Sequence, residues 1–194
     1  MKTKVRKTLV GMIAALFLLT TATSQVKSQS FSVGDKDINL GLGLGATWYS
    51  GVGYKTTIPP VSFSFDYGFK DDIGPGVIGI GGYLGFSSYK WEYSYLYDYG
   101  WKFTTIILGA RGTYHMEFLD KLDTYGGLLL GFRIVSDKYF GDPGYDYGGS
   151  FTGSGLAYSF FVGGRYYLTD NIAVFGELGY GIAYLTIGAT FKLQ

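Results

Sequence analysis

The sequence contains no cysteine and a single histidine, His115. Without thiols there is no disulfide framework, no thiolate metal site and no lipid attached through an N-terminal cysteine. One imidazole cannot build a His-based metal cluster, so no metal or other cofactor is expected. Long apolar runs are missing as well. The stretch Leu9–Leu19 has 11 residues, against about 20 for a membrane-spanning helix. Proline is rare, at four residues (Pro59, Pro60, Pro75, Pro143), and all four are expected in connections, where no ladder hydrogen bond is lost.

Positive charge is scarce once the N-terminus is set aside. Met1–Lys7 carries four cations and no anions, the apolar stretch follows, and Ala22-Thr23-Ser24 then offers small residues at the −3 and −1 positions of a cleavage site. This three-part order is that of a secretory signal peptide, expected to span residues 1–24. Its removal takes four of 16 cations, leaving 12 against 15 anions, a net charge of −3. Nucleic-acid binding then has no electrostatic basis.

What the chain does have is glycine (32), tyrosine (19) and phenylalanine (15), arranged with a period of two. Asp37-Ile38-Asn39-Leu40-Gly41-Leu42-Gly43-Leu44-Gly45-Ala46 sets Ile, Leu and Ala on one face against Asp, Asn and Gly on the other. Val61–Phe69 repeats the alternation with aromatics. Such runs are strands with one apolar face. Six more are expected at Val77–Lys90, Lys102–Phe118, Thr124–Ser136, Leu156–Leu168, Ile172–Tyr180 and Ala183–Leu193. Their connections alternate between short turns and longer Tyr- and Gly-rich loops, the pattern of periplasmic turns and external loops in transmembrane barrels. The expected fold is all-β: an eight-stranded antiparallel transmembrane β-barrel, an up-and-down meander over residues 36–194, preceded by a short periplasmic segment at 25–35.

The bulk of the two faces decides which is inside. Glycine could not coat a soluble surface, but it fits a crowded barrel interior, so the apolar parity points outward to lipid. On that parity Trp48, Phe86, Tyr158 and Tyr180 fall near the external strand ends, and Phe69, Tyr114, Phe118, Tyr166 and Phe191 near the periplasmic ends. These are two interfacial girdles. A soluble lipocalin-like barrel has no use for them.

The inward parity then holds Asp66, Arg111, Arg133, Arg165 and Glu177, since an Arg or Lys facing mid-bilayer lipid costs about 2–4 kcal/mol. Arg165 and Glu177 are expected as diagonal neighbours across one hairpin. Arg111 and Arg133 are expected as another such pair, needing carboxylates from elsewhere, with Asp66 able to reach across. Such a network is either a sealed polar plug or a narrow ion path. A third class, a lipid-modifying enzyme, would need His115 as a general base, but it is expected at the periplasmic rim with no identifiable Ser partner. Gly41–Gly45 lacks the spacing and following helix of a nucleotide loop, and Phe140–Tyr147 lacks the pattern of a Ca²⁺ loop.

One external hairpin stands out. Tyr89, Trp91, Tyr93, Tyr95, Tyr97, Tyr99 and Trp101 share a parity, as does Phe103, around a turn near Asp98-Tyr99-Gly100. Once strands rise above the bilayer, such rings either form a contact face for a glycan or protein ligand or close the barrel mouth.

The last strand carries a more specific pattern. Thr186, Gly188, Phe191 and Leu193 stand at the polar, glycine, aromatic and hydrophobic positions of a sequence that resembles the signal read by the outer-membrane barrel assembly machinery, with Leu193 in place of the usual aromatic and Gln194 following. As a whole, residues 36–194 resemble the small OmpA/OmpX-like and opacity-like outer-membrane barrels, without the peptidoglycan-binding domain of OmpA. That resemblance implies the outer membrane of a Gram-negative-type bacterium, partners among outer-membrane lipids and the assembly machinery, and a non-enzymatic structural or surface-binding role, with a small ion-conducting pore as the alternative.

Overall fold

The computed structural model describes residues 31–47, 51–92, 99–141 and 153–193. The segment read as a signal peptide lies outside them. Eight strands follow one another: β1 (Lys36–Ala46), β2 (Tyr54–Ile73), β3 (Gly76–Glu92), β4 (Gly100–Leu119), β5 (Leu122–Phe140), β6 (Gly155–Tyr167), β7 (Ile172–Gly179) and β8 (Ala183–Leu193). Each pairs antiparallel with its sequence neighbour, and β1 closes on β8 from Lys36↔Leu193 to Ala46↔Ala183, giving a closed up-and-down barrel. Closure matters in a bilayer because an open edge would leave backbone groups unpaired in hydrocarbon.

The alternation seen in the sequence is the division between inside and outside. Asp37 and Asn39 are buried while Leu40, Leu42 and Leu44 are exposed. Leu108, Leu128, Leu130, Phe160 and Val162 are each more than half exposed. Moving one such side chain out of water contributes roughly 1.5–3 kcal/mol, so an exterior of this composition is a lipid-facing one. Aromatic rings flank the band. Tyr158, Tyr180 and Tyr184 are exposed at the end with the longer connections, and Phe69, Phe118, Tyr166 and Phe191 at the end with the short turns. These short turns are Gly74-Pro75, Asp120-Lys121 and 168–171. Gly74 and Lys121 both adopt positive φ, at 69° and 68°. By the connection rule this end faces the periplasm.

Two features differ from the sequence reading. Pro59 and Pro60 lie inside β2 and not in a connection. The register there shifts between Ile58↔Ser88 and Val61↔Phe86, and the β1 ladder has already ended at Leu42↔Val61. A bulge on an unpaired stretch of strand asks for no N–H, which is why the ring is tolerated. Pro75 is in a turn, and Pro143 is outside the described residues. The second difference is strand length. β2 and β4 have 20 residues and β5 has 19, whereas β7 has eight, and crossing a bilayer takes about 9–11. The β6–β7 ladder stops at Phe161↔Gly179 and β5–β6 at Arg133↔Gly155, but β4–β5 continues to Gly100↔Phe140. The external rim is therefore stepped, with a ribbon of β2–β5 rising on one side.

Small residues make the closure possible. A Cβ on inward-facing Gly188 would run into the Leu40 carbonyl oxygen across the β1–β8 seam, and would sit 2.7 Å from the Phe175 ring. Outward-facing Gly82 has nothing within 4 Å. Gly188→Val should therefore sharply lower the heat-modifiable, folded fraction on refolding, while Gly82→Val, which adds a methylated face to lipid, should leave it unchanged. Equal yields on a cold-against-boiled gel would refute the assignment of the two faces.

Candidate functional site

The interior is built in layers, and the layer at the periplasmic half is ionic. Arg165 of β6 is fully buried, and its guanidinium meets carboxylates from three other strands: Asp37 of β1 at 2.7 Å, Asp123 of β5 at 3.4 Å, and Asp66 of β2. Arg111 of β4 sits beside it. Its Nε lies 3.0 Å from Asp66, its Nη2 2.8 Å from Glu177 of β7, and its Nη1 donates to Ser64 Oγ at 3.0 Å. Asp66 is thus shared by both arginines. Hydroxyls and amides meet further carboxylate valences, although Asp37 Oδ1 is left without a hydrogen bond. Tyr167 donates to Asp37 and Tyr125 to Glu177, each at 2.9 Å, and Asn39 donates to Asp66 at 3.0 Å. Thr190 of β8 donates in turn to Asn39 Oδ1 at 2.8 Å. The guanidiniums also lie against aromatic faces, Arg111 over Phe161 at 4.4 Å and Arg165 over Tyr125 at 4.6 Å. Burial of this many charges is tolerable only because nearly every one is paired and hydrogen-bonded.

Below this layer, at the periplasmic mouth, the chain before β1 folds back. Gly34 N donates to Gly68 O and Gly68 N to Asp35 O, both at 2.9 Å, while Lys192 pairs with Asp35 at 2.9 Å. The turn carries Phe31 into the barrel, where it is 3% exposed and stacks on the His115 ring at 3.9 Å. His115 Nδ1 is 2.9 Å from Asp123 and its Nε2 is 2.8 Å from Thr113 Oγ1. Above the ionic layer the contents turn apolar: Ile107, Leu129, Ala157, Phe161, Ile182 and Ala183 pack together with Tyr125, with Tyr83 against them. A cavity of about 40 Å³ lies between this cluster and the Arg111–Glu177 pair, room for a few waters. At the external mouth a second ring layer follows, with Tyr54 and Phe103 centroids 6.3 Å apart and Trp101 edge-on to Tyr139 at 5.6 Å.

Several sequence expectations change here. Arg165 and Glu177 are diagonal in register, since Gly163 opposes Glu177, yet they do not pair; Glu177 turns to Arg111. Arg111 and Arg133 are not diagonal. Arg111 opposes Leu129 whereas Arg133 opposes Ile107, nearer the external end, where Arg133 donates to the Gly153 carbonyl at 2.6 Å. His115 is no rim residue, because Phe31 covers it. Of the aromatic hairpin, Tyr89 and Trp101 are 3% and 9% exposed and point into the mouth, so neither is a contact residue. Trp91 and Tyr99 are half-buried, and Tyr93, Tyr95 and Tyr97 lie outside the described residues. Sequence reasoning missed Asp37, Asp123, Tyr125, Tyr167 and Phe31. Asp37 was visible on the polar parity of β1, but Asp123 was assigned to a turn that proves shorter, and nothing in the pattern before residue 36 announced that Phe31 would insert. In β8, Thr186 and Gly188 face inward, while Phe191 and Leu193 are exposed on the lipid side.

Removing one member of a buried ion pair leaves the other uncompensated, a loss of roughly 3–5 kcal/mol. Glu177→Ala strands Arg111 Nη2 and the Tyr125 hydroxyl. The exposed Lys55–Glu92 pair on the external ribbon is worth at most about 1 kcal/mol. In refolded protein the urea midpoint of Glu177→Ala should fall well below that of Glu92→Ala; equal midpoints would mean that water already solvates Arg111.

No family model and no curated protein sequence matches the chain. Solved structures do match it in shape. The outer-membrane protein OprG of Pseudomonas aeruginosa superposes with a TM-score of 0.54 at 12% identity, over 86% of this chain and 99% of that one. The attachment invasion locus protein Ail of Yersinia pestis gives 0.49 at 16% identity, over 82% and 95%. The N-terminal barrel domain of Pseudomonas aeruginosa OprF gives 0.46 at 13%, over 84% and all of that domain. With a closed eight-stranded meander, an apolar exterior and flanking aromatic girdles, the chain has the fold of the small outer-membrane barrels.

Proposed function

We propose that this protein is a non-conducting, non-enzymatic barrel of the outer membrane that acts from its external side, as a structural or surface-binding element. The observation that carries this reading is the filled interior: Phe31 and His115, the arginine–carboxylate layer, the apolar cluster and the mouth aromatics follow one another along the axis. An ion path needs continuous water, and each of these layers displaces it. Catalysis is disfavoured by the same packing. Asp123, His115 and Thr113 do form an acid–imidazole–hydroxyl row, but His115 and Thr113 are 2% and 4% exposed beneath Phe31. A general base must reach its substrate first.

What remains available is the outside. The ribbon of β2–β5 stands above the bilayer and ends in the hairpin that includes Trp91 and Tyr99, the expected contact region for a glycan or protein ligand. In planar bilayers the refolded protein should give no stepwise current; discrete openings would refute the reading in favour of a pore. Cells carrying a chain in which residues 93–98 are replaced by a Gly-Ser linker should lose adhesion to glycan- or protein-coated surfaces, with folded barrel still present in the outer membrane. Unchanged adhesion would leave only the structural role.

Export and assembly belong to the same proposal. Residues 1–24 serve as the cleaved signal, 25–35 as a short segment at the periplasmic end whose Phe31 enters the barrel, and Thr186, Gly188, Phe191 and Leu193 as the assembly signal. The lipid-side exposure of Phe191 and Leu193 on the closing strand supports the last of these.

A further inference from the structure

On the outward face of the external ribbon the register brings four lysines into one row. Lys55 of β2 lies opposite Lys90 of β3, Lys90 opposite Lys102 of β4, and Lys102 opposite Lys138 of β5. Neighbouring strands are about 4.8 Å apart, so the row spans roughly 14 Å. Like charges directly opposite across strands are destabilising, and this arrangement repeats the repulsion three times over. Among the described residues, few contacts offset it. Glu92 pairs with Lys55, and Lys90 lies over the Phe140 ring at 4.8 Å; among the described residues no carboxylate pairs with Lys90, Lys102 or Lys138. Lys55 and Lys138 are exposed, and Lys90 and Lys102 are half-buried against the sheet.

The rows beneath fix the depth of this one. Two residues closer to the bilayer, Ser88, Thr104 and Ser136 stand in register. Two further, Phe86, Ile106 and Ile134 do so, as the uppermost wholly apolar row of these strands. Moving outward along the same face, the sheet thus passes from hydrocarbon-compatible side chains through a hydroxyl row, in which Ser88 is buried and Ser136 exposed, to cationic side chains. At about 3.3 Å per residue along a strand tilted by roughly 40°, the lysines sit on the order of 10 Å above that apolar row. Lipid headgroups extend about 5–8 Å past each side of the hydrocarbon core, so the lysine backbone stands at the outer edge of that layer and the long side chains reach back into it. The face is a continuation of the lipid-facing wall, so its occupant is a lipid of the surrounding leaflet and not a ligand in the barrel mouth.

We propose that the Lys55–Lys90–Lys102–Lys138 row is a binding site for the phosphate groups of an anionic lipid headgroup in the outer leaflet. A row of ammonium groups matches a headgroup bearing more than one phosphate, because two separated dianionic groups can each bridge neighbouring lysines and turn the repulsion into attraction. The apolar row below would take the acyl chains of the same molecule. The site does not depend on whether the lumen conducts.

The test uses the refolded full chain in zwitterionic micelles, with lipid A, a bisphosphorylated disaccharide lipid, as the probe and affinity read by titration. K90Q/K102Q removes the centre of the row; K90R/K102R keeps its charge; K36Q removes a cation at the periplasmic rim. The expected result is a loss of affinity on the order of ten-fold or more for K90Q/K102Q, little change for K90R/K102R and K36Q, and weak, variant-independent binding of the dephosphorylated lipid. The melting temperature of K90Q/K102Q without lipid A should equal or exceed that of the parent, which shows that the variant folds. Equal affinity in K90Q/K102Q and parent overturns the proposal, as does a loss in K36Q as large as in the double variant. Binding of inorganic phosphate as tight as that of lipid A would also overturn it, by removing the lipid as the occupant. So would loss of binding to a sulfated polysaccharide with lipid A binding intact.

Discussion

The structure turns on the Arg165 guanidinium. A barrel in lipid must put its polar atoms inside, and an eight-stranded one has no room to keep them wet. The solution is a fully buried cation surrounded by carboxylates from β1, β2 and β5, with the shared Asp66 passing the connection to Arg111 and from there to β7. Each carboxylate is acceptable in the interior only because an arginine is there, and each arginine only because the carboxylates are. Such a network gives little net stability relative to a well-packed apolar core. What it contributes is uniqueness: the strands it joins cannot slip by one residue without sending a charge to the lipid side.

The two ends of the lumen differ in kind. The periplasmic half is ionic and closed by one aromatic ring, Phe31, brought in by a turn outside the barrel proper. The external half is a small apolar core of the sort a soluble protein would have, capped by Tyr89, Trp101 and Phe103. Those aromatics belong to a run that continues outward to the half-buried Trp91 and Tyr99, so the alternation that packs the mouth extends past the rim.

Much of this was legible in the sequence, because lipid imposes a period of two on every strand and leaves glycine on the crowded face. The order of strands, their parity and the inward placement of Asp66, Arg111, Arg165 and Glu177 follow from that rule alone. Pairing partners do not. Side chains four strands apart meet across a lumen whose width depends on shear, and parity says nothing of which inward carboxylate an arginine selects; hence the Arg165–Glu177 pairing gave way to Arg111–Glu177. Strand ends above the bilayer were also obscured, because there the outward face becomes polar and the inward face aromatic, as at Lys90 and Tyr89 or Lys102 and Trp101. Pro59 and Pro60 look like breakers in a sequence and are harmless at a bulge. Phe31 was invisible because a single ring before the first strand has no periodicity to betray it.

The order of the plug's parts along the chain bears on how the barrel comes to exist. Asp37 belongs to the first strand, and the arginine that neutralises it follows 128 residues later; Tyr167, which donates to the same carboxylate, comes 130 residues later. Until β6 is in place, Asp37 lacks its cation, and Asp66 has only Arg111 of β4 and the Asn39 amide of β1. A half-inserted sheet would therefore carry unneutralised acid toward the bilayer, which is costly at every intermediate stage. Insertion strand by strand is disfavoured, and the low-energy route keeps the sheet hydrated until the chain is nearly complete, then moves it into lipid as the lumen dries. Contacts of such long sequence separation make the search slow, so a chain of this design depends on being held soluble for the interval between synthesis and closure.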